Sequence, residues 1–149
     1  MRNVNLRTIF SILFLGGCSS STHRSSDGSI SPTQAIVLAA DAAPAGVRGT
    51  FEMEARSAGR QDGNIYLDSE LDYRDQRNLT IAVHPAAAVR LREKFGKDID
   101  SLIIGKRIMI NGEARRVKIV ISFDGRLTGD YYYQTHVDVW DAGQLSILP

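Results

Sequence analysis

The chain has 149 residues, with 18 Lys+Arg against 17 Asp+Glu for a formal net charge of +1, 43% apolar residues and a single cysteine. That length holds one ordinary domain. The even charge balance excludes the phosphate-neutralising surface on which duplex nucleic-acid binding depends, and a lone cysteine excludes an internal disulfide.

Arg2 and Arg7 give the chain a positive start, Ile9 to Leu15 an apolar middle, and Gly16 and Gly17 a small-residue approach to Cys18. The apolar run is about half of the ~20 residues that a membrane-spanning helix needs, so the segment reads as a secretory signal. Leu15-Gly16-Gly17-Cys18 resembles the lipobox of bacterial lipoproteins. The resemblance implies that residues 1–17 are removed, that Cys18 is lipidated (palmitate among its acyl chains), and that the new first residue tethers the protein to a membrane. Ser19, standing where an aspartate tends to hold such proteins in the inner membrane, implies the outer membrane, facing the periplasm. The alternative is a plain signal peptide cut near Gly17, with Cys18 incidental. Loss of residues 1–17 takes Arg2 and Arg7 and no acidic residue, leaving 132 residues with 16 basic and 17 acidic side chains and a net charge of −1.

Residues 18–45 are rich in Ser, Thr, Ala, Pro and Gly. Such a composition buries too little apolar surface to order itself and predicts a flexible tether. Within it, Thr33 to Ala43 is open between tether and a short helical turn carrying Ile36, Val37 and Leu38. The domain proper is expected over 46–149. Val47 to Ala58 alternates, with Val47, Phe51, Met53 and Ala55 inward, which is the period of a half-buried strand. Gly59 to Gly63 reads as a turn, and Asn64 to Ser69 returns with Ile65 and Leu67 inward and Tyr66 and Asp68 outward. A polar loop, Glu70 to Arg77, leads to a third strand with Leu79, Ile81 and Val83 inward.

Pro85 opens and Gly96 closes a run of helix formers, Ala86 to Phe95, with Ala88, Leu91 and Phe95 on its apolar side. After a link through Leu102, Ile103 and Ile104, Lys106 to Phe123 changes the parity of its apolar set from Ile108 and Ile110 to Val117, Ile119 and Ile121. A type I′ hairpin at Asn111-Gly112 competes with a long bent strand absorbing one extra residue there. The bent strand is preferred, because a small barrel needs a strand that turns a corner. Tyr131 to Trp140 is a strong strand with Tyr133, Thr135, Val137 and Val139 on one side, and Gln144 to Leu148 adds a short terminal strand.

Three strands, a helix and two strands is the order of the OB-fold, so the expected class is mostly β, a small Greek-key barrel with its helix between strands 3 and 4. The chain also resembles a scattered group of exported bacterial OB-like domains, through Tyr66-Leu67-Asp68-Ser69-Glu70 with Asp72-Tyr73-Arg74-Asp75, Asn78-Leu79-Thr80, Gly105-Lys106 and Asp141-Ala142-Gly143-Gln144-Leu145. It departs from that group in carrying Asp68 where Asn is common before the Ser-Glu pair, and the resemblance brings no functional site with it.

Chemistry-bearing residues are few. Asp68, Glu70, Asp72 and Asp75 crowd one loop, but the glycine of an EF-hand loop is missing and Arg74 and Arg77 stand by as ion-pair partners. His84 and His136 fall short of the three protein ligands that zinc requires. No nucleophile elbow, Walker loop or dinucleotide fingerprint occurs. The expected protein is therefore a lipid-anchored, non-catalytic binding or assembly module of the cell envelope, with no cofactor and no metal. Its partner is a membrane through the N-terminal lipid, with an envelope protein as a second partner and nucleic acid disfavoured. Alternatives are a small metal-assisted envelope hydrolase, or a single-stranded nucleic-acid or oligosaccharide binder by fold analogy. The residues expected to meet a ligand or partner are Arg56, Tyr66, His84 and Tyr132, left outside by strand alternation. Tyr131 and Tyr133 are expected to pack inward.

Overall fold

The computed structural model describes residues 28–149, so Cys18, the signal segment and the first part of the tether lie outside the described residues. A helix, α1 (Pro32–Ala42), starts at Ser31. The Ser31 side chain accepts the Gln34 N–H, the Gln34 side chain accepts the Ser31 N–H, and Pro32 takes the first helical position. These contacts satisfy or remove donors that a helix start leaves open. Ala35 and Ala39, one turn apart on the same face, are fully buried. Just ahead, Ile30 donates its N–H to Thr50 O at 2.8 Å and accepts from Glu52 N at 3.0 Å. The stretch from Ile30 to Ala42 therefore belongs to the packed domain rather than to a flexible tether, and the domain begins ahead of residue 46. Two small side chains suffice because they let the helix backbone lie close on the sheet.

The domain is mostly β. Its strands are β1 (Val47–Glu54), β2 (Ser57–Gln61), β3 (Asn64–Asp68), β4 (Leu79–Val83), β5 (Arg107–Phe123), β6 (Arg126–Val139) and β7 (Leu145–Ile147). They form one sheet in the order β1-β5-β6-β4-β3-β2, with β7 added against β5. Every pairing is antiparallel except β4 with β6. The edges β1 and β2 do not pair with each other, so the ladder does not itself close. Only Ala55 and Arg56 separate them in the chain, where Ala55 N–H donates to Lys106 O at 2.9 Å and Arg56 N–H to Asp68 O at 2.8 Å. The turn expected over Gly59–Gly63 is narrower than its composition suggested. Asp62 and Gly63 alone make it, with φ of 51° and 81°, the two positive angles of a type I′ hairpin.

Helix α2 (Pro85–Phe95) ends at Gly96, whose φ of 71° lets its N–H reach Arg92 O at 2.8 Å. It buries Ala87 and Leu91 completely, while Phe95 and Ala88 are only partly covered. The link that follows is itself helical, α3 (Ile99–Ile103), with Ile99 and Ile103 fully buried. Beyond it β5 runs as one strand through Asn111-Gly112. Its register with β1 is unbroken from Val47↔Ala114 to Glu54↔Arg107, and the irregularity falls instead between Val120 and Ser122 opposite β6. Gly112 serves close approach and not a turn, since a Cβ there would lie 2.7 Å from Val137 Cγ1. The parity change has a simpler cause than an inserted residue. After Ala114 the strand leaves the core, and Val117 and Ile119 lie on its opposite face.

Candidate functional site

Strand register builds the site. Leu67 of β3, Ile81 of β4 and Val137 of β6 align in one row on the core face, all fully buried. One residue along each strand, Asp68, Thr80 and His136 form the matching row on the other face, with Tyr66, Ala82 and Asp138 in a further row. Alternation normally turns such a face to water. Here Asp68 is 4%, Thr80 2% and Ala82 4% exposed. The cover comes from the loop 69–78 and from the β5–β6 hairpin, and between cover and sheet lies a cavity of about 310 Å³. Its floor carries Tyr66, Asp68, Thr80 and His136, and its walls are Tyr73, Tyr132, Gln134 and Ile119, with Gly59, Arg60 and Gln61 at one rim.

Asn78, 2% exposed, holds the loop in place. Its Nδ2 donates to Asp68 Oδ1 (2.8 Å), Thr80 Oγ1 (2.9 Å) and Tyr73 O (3.3 Å), and its Oδ1 accepts from Glu70 N (3.1 Å). Thr80 Oγ1 donates in turn to Asp68 Oδ1 at 2.7 Å. On the opposite wall Gln134 Nε2 donates to Tyr73 O at 2.9 Å and Tyr132 Oη at 3.1 Å. Gln134 Oε1 accepts from His136 Nε2 at 2.7 Å. A carbonyl oxygen only accepts, so Nε2 carries the proton and Nδ1 keeps a lone pair. Burial pushes the His136 pKa down, with Asp138 and Asp68 opposing it, and the imidazole is accordingly neutral near pH 7.

The structure brings together two of the four sequence-predicted site residues, Tyr66 and Tyr132, in this cavity. Arg56 lies apart, its Nη1 2.9 Å from Glu70 Oε2. His84 is also apart, its ring stacked 3.4 Å from that of Trp140 and its Nε2 2.8 Å from Asp138 Oδ1. Tyr131 and Tyr133, expected to pack inward, are 51% and 42% exposed. They lie on a stretch of β6 that has left the core, under Lys118 Nζ at 3.9 Å and the Arg116 guanidinium at 3.8 Å. Asp68, Tyr73, Thr80, Gln134 and His136 are among the cavity residues that sequence reasoning did not assign to a binding face. Thr80 and His136 shared the outward parity that singled out Tyr66, but which strand neighbours which is not written in parity.

Of the four crowded carboxylates Asp68 belongs to β3, and the three that follow it are neutralised locally, Glu70 by Arg56. Arg74 pairs with Asp72 at 2.9 Å and Arg77 with Asp75 at 2.7 Å. Hydrogen bonds from Arg74 lower the Asp72 pKa, and those from Arg77 hold Asp75 at about 2. Among the described residues no cluster of three His, Cys, Asp or Glu is placed to hold a metal ion, and no helix is long and apolar enough to cross a membrane. Compared with known proteins, the chain matches no family model and no curated sequence.

Proposed function

We propose that this chain is a lipid-anchored, non-catalytic binding module of the cell envelope, OB-like in topology, whose ligand or partner enters the cavity between Tyr66 and Tyr132. The observation that carries the reading is where the cavity lies. If β1 and β2 are counted as one strand bent at Ala55-Arg56, the sheet order returns to its first strand, the third strand (β4) runs parallel to the fifth (β6), and α2 falls between the third and fourth. In an OB barrel the ligand face is that of the second and third strands with the loops joining strands 1–2 and 4–5. Here those parts are β3, β4, the Asp62-Gly63 hairpin and the β5–β6 hairpin. Tyr66, Asp68, Thr80, Gln61, Ile119 and Tyr132 supply the cavity from those same elements.

The address rests on Cys18 and the basic and apolar residues before it. Lipidation there holds the protein in a membrane, the outer one facing the periplasm by the identity of Ser19. Crosslinking in intact envelopes, followed by capture of the full chain, tests both parts. The wild type should fractionate with membranes and capture a defined partner or ligand. Cys18→Ser should leave the membrane fraction or stay unprocessed. Tyr66→Ser/Tyr132→Ser should lose the crosslink while remaining folded, and Glu93→Ala on the solvent side of α2 should keep it. A folded double variant with every crosslink intact ends the cavity reading.

A further inference from the structure

The cavity floor holds a carboxylate that no cation answers. Asp68 is 4% exposed, and its Oδ1 accepts from both Asn78 Nδ2 and Thr80 Oγ1. Thr80 has only one proton to give, and it gives it to Asp68 while its own oxygen accepts from Asn78. Among the described residues no donor reaches the second Asp68 oxygen, and no Lys, Arg or His forms an ion pair with this side chain. The cations nearby are committed elsewhere. Arg60, at the rim, is bound to Asp100 at 2.6 and 2.8 Å and lies 3.4 Å from Asp98. Arg74 is held by Asp72 and Arg56 by Glu70. His136 adds no positive charge while neutral, and its free Nδ1 is another acceptor.

A buried charge is tolerated when it is paired and hydrogen-bonded, and is costly otherwise. This one is half satisfied on the protein side and faces a cavity lined by Tyr66 on the floor and Tyr73 and Tyr132 on the walls. Ring faces attract cations through their quadrupole. Acceptors on the floor and aromatic rings on the walls, with every local cation already paired, disfavour an anionic ligand such as a phosphate. They favour a group that both donates hydrogen bonds and carries positive charge.

Resting on the reading of this cavity as the binding site, we infer that it takes a protonated amine or guanidinium group, seated against the open oxygen of Asp68 between the rings of Tyr66 and Tyr132. A small cationic metabolite and a Lys or Arg side chain of an envelope protein share that chemistry, and the test separates them.

The purified full chain, kept in detergent, is titrated with n-butylammonium, Nα-acetyl-L-argininamide and an Arg/Lys-containing hexapeptide. The matched probes are Nα-acetyl-L-citrullinamide, which is neutral because its α-amine is blocked, maltose and inorganic phosphate. The readout is the NMR signals of the His136 imidazole and the Tyr66 and Tyr132 rings. Cationic probes should shift these signals saturably and bind at least ten-fold more tightly than citrullinamide. A hexapeptide much tighter than the two small cations points to a protein side chain, and equal affinities point to a small ligand. Asp68→Asn, which keeps an acceptor for Asn78 and Thr80, should lose the preference for positive charge. Should that variant fail to fold, Tyr132→Leu should weaken the cations ten-fold with Asp68 in place. Citrullinamide binding as tightly as argininamide, or cations that leave all three signals unmoved, overturns the inference. Maltose or phosphate shifting the signals where cations do not overturns the ligand class and leaves the cavity reading standing. Failure of that reading is scored separately, by crosslinks that survive Tyr66→Ser/Tyr132→Ser.

Discussion

Replacing Asn78 by Leu, an apolar side chain of similar size, tests whether the cover over the cavity is held by one residue. Asn78 is 2% exposed and bridges five groups at 3.3 Å or less: Asp68 Oδ1, Thr80 Oγ1, Tyr73 O, Glu70 N and Ser69 Oγ. The substitution removes a hydrogen bond to a charged acceptor, worth about 1.5–3 kcal/mol, and strands the Glu70 N–H at about 1–3 kcal/mol. Tyr73 O keeps Gln134, Thr80 keeps Asp68 and Ser69 Oγ keeps the Leu79 N–H, so these three add little. The expected loss is about 3–5 kcal/mol, a large share of the ~5–15 kcal/mol that a domain possesses. Urea denaturation followed by far-UV circular dichroism reads it. With a slope of about 1–3 kcal/mol per molar urea, the midpoint should fall by about 2 M. Arg77→Ala in the same loop is the contrast. Its partner Asp75 is held at about 2 by that arginine, yet the pair is solvent-exposed, and such pairs contribute little. If Asn78→Leu unfolds within about 0.5 M of the parent, the buried network does not hold the loop, and the argument from burial to stability fails.

Helix α2 should be anchored by Leu91 and not by Phe95, since Leu91 is fully buried and Phe95 only partly covered. Leu91→Ala should cost about 2–5 kcal/mol and Phe95→Ala clearly less, and thermal melts in the reverse order would misplace the helix. His136 carries a pH dependence whose sign follows from its depressed pKa. The folded state resists protonation that the unfolded state accepts below about pH 6.5, so stability is full above that value and falls as pH drops towards the folded pKa, by at most about 1.4 kcal/mol per unit. Denaturation midpoints between pH 7 and 5 should fall more steeply for the wild type than for His136→Gln, and parallel curves would show that His136 does not titrate as its burial requires.

Period-two alternation made much of the core legible. Phe51, Met53 and Ala55, then Ile65 and Leu67, then Leu79, Ile81 and Val83, then Val137 and Val139 are all buried on the inward parity. Alternation failed where it had to, at Tyr131 and Tyr133. Their parity continues that of Val137 and Val139, but β6 has run beyond the core at that point, and nothing local marks where the packing partner ends. Helix α3 escaped notice because five residues are too few to show a 3.6 period, and Ile99 and Ile103 are buried by tertiary packing. Asp68 was legible as outward-facing. Its burial depends on Asn78, ten residues on, folding the loop back over it.

Assembly of the site is a matter of register, and register is set by the core. Sliding β6 by one residue against β4 would place Val137 in the row now held by His136, and His136 in the row of Thr135 opposite Leu79. That slip would bury an imidazole beside Leu79 and turn a valine toward Asp68. Both changes are unfavourable, one for burying a polar group without partners and one for exposing apolar surface to a carboxylate. The aliphatic row Leu67–Ile81–Val137 and the polar row Asp68–Thr80–His136 therefore fix each other from opposite faces of three strands. The floor of the site is thereby tied to the core behind it, and ligand preference is set by the side chains that line it.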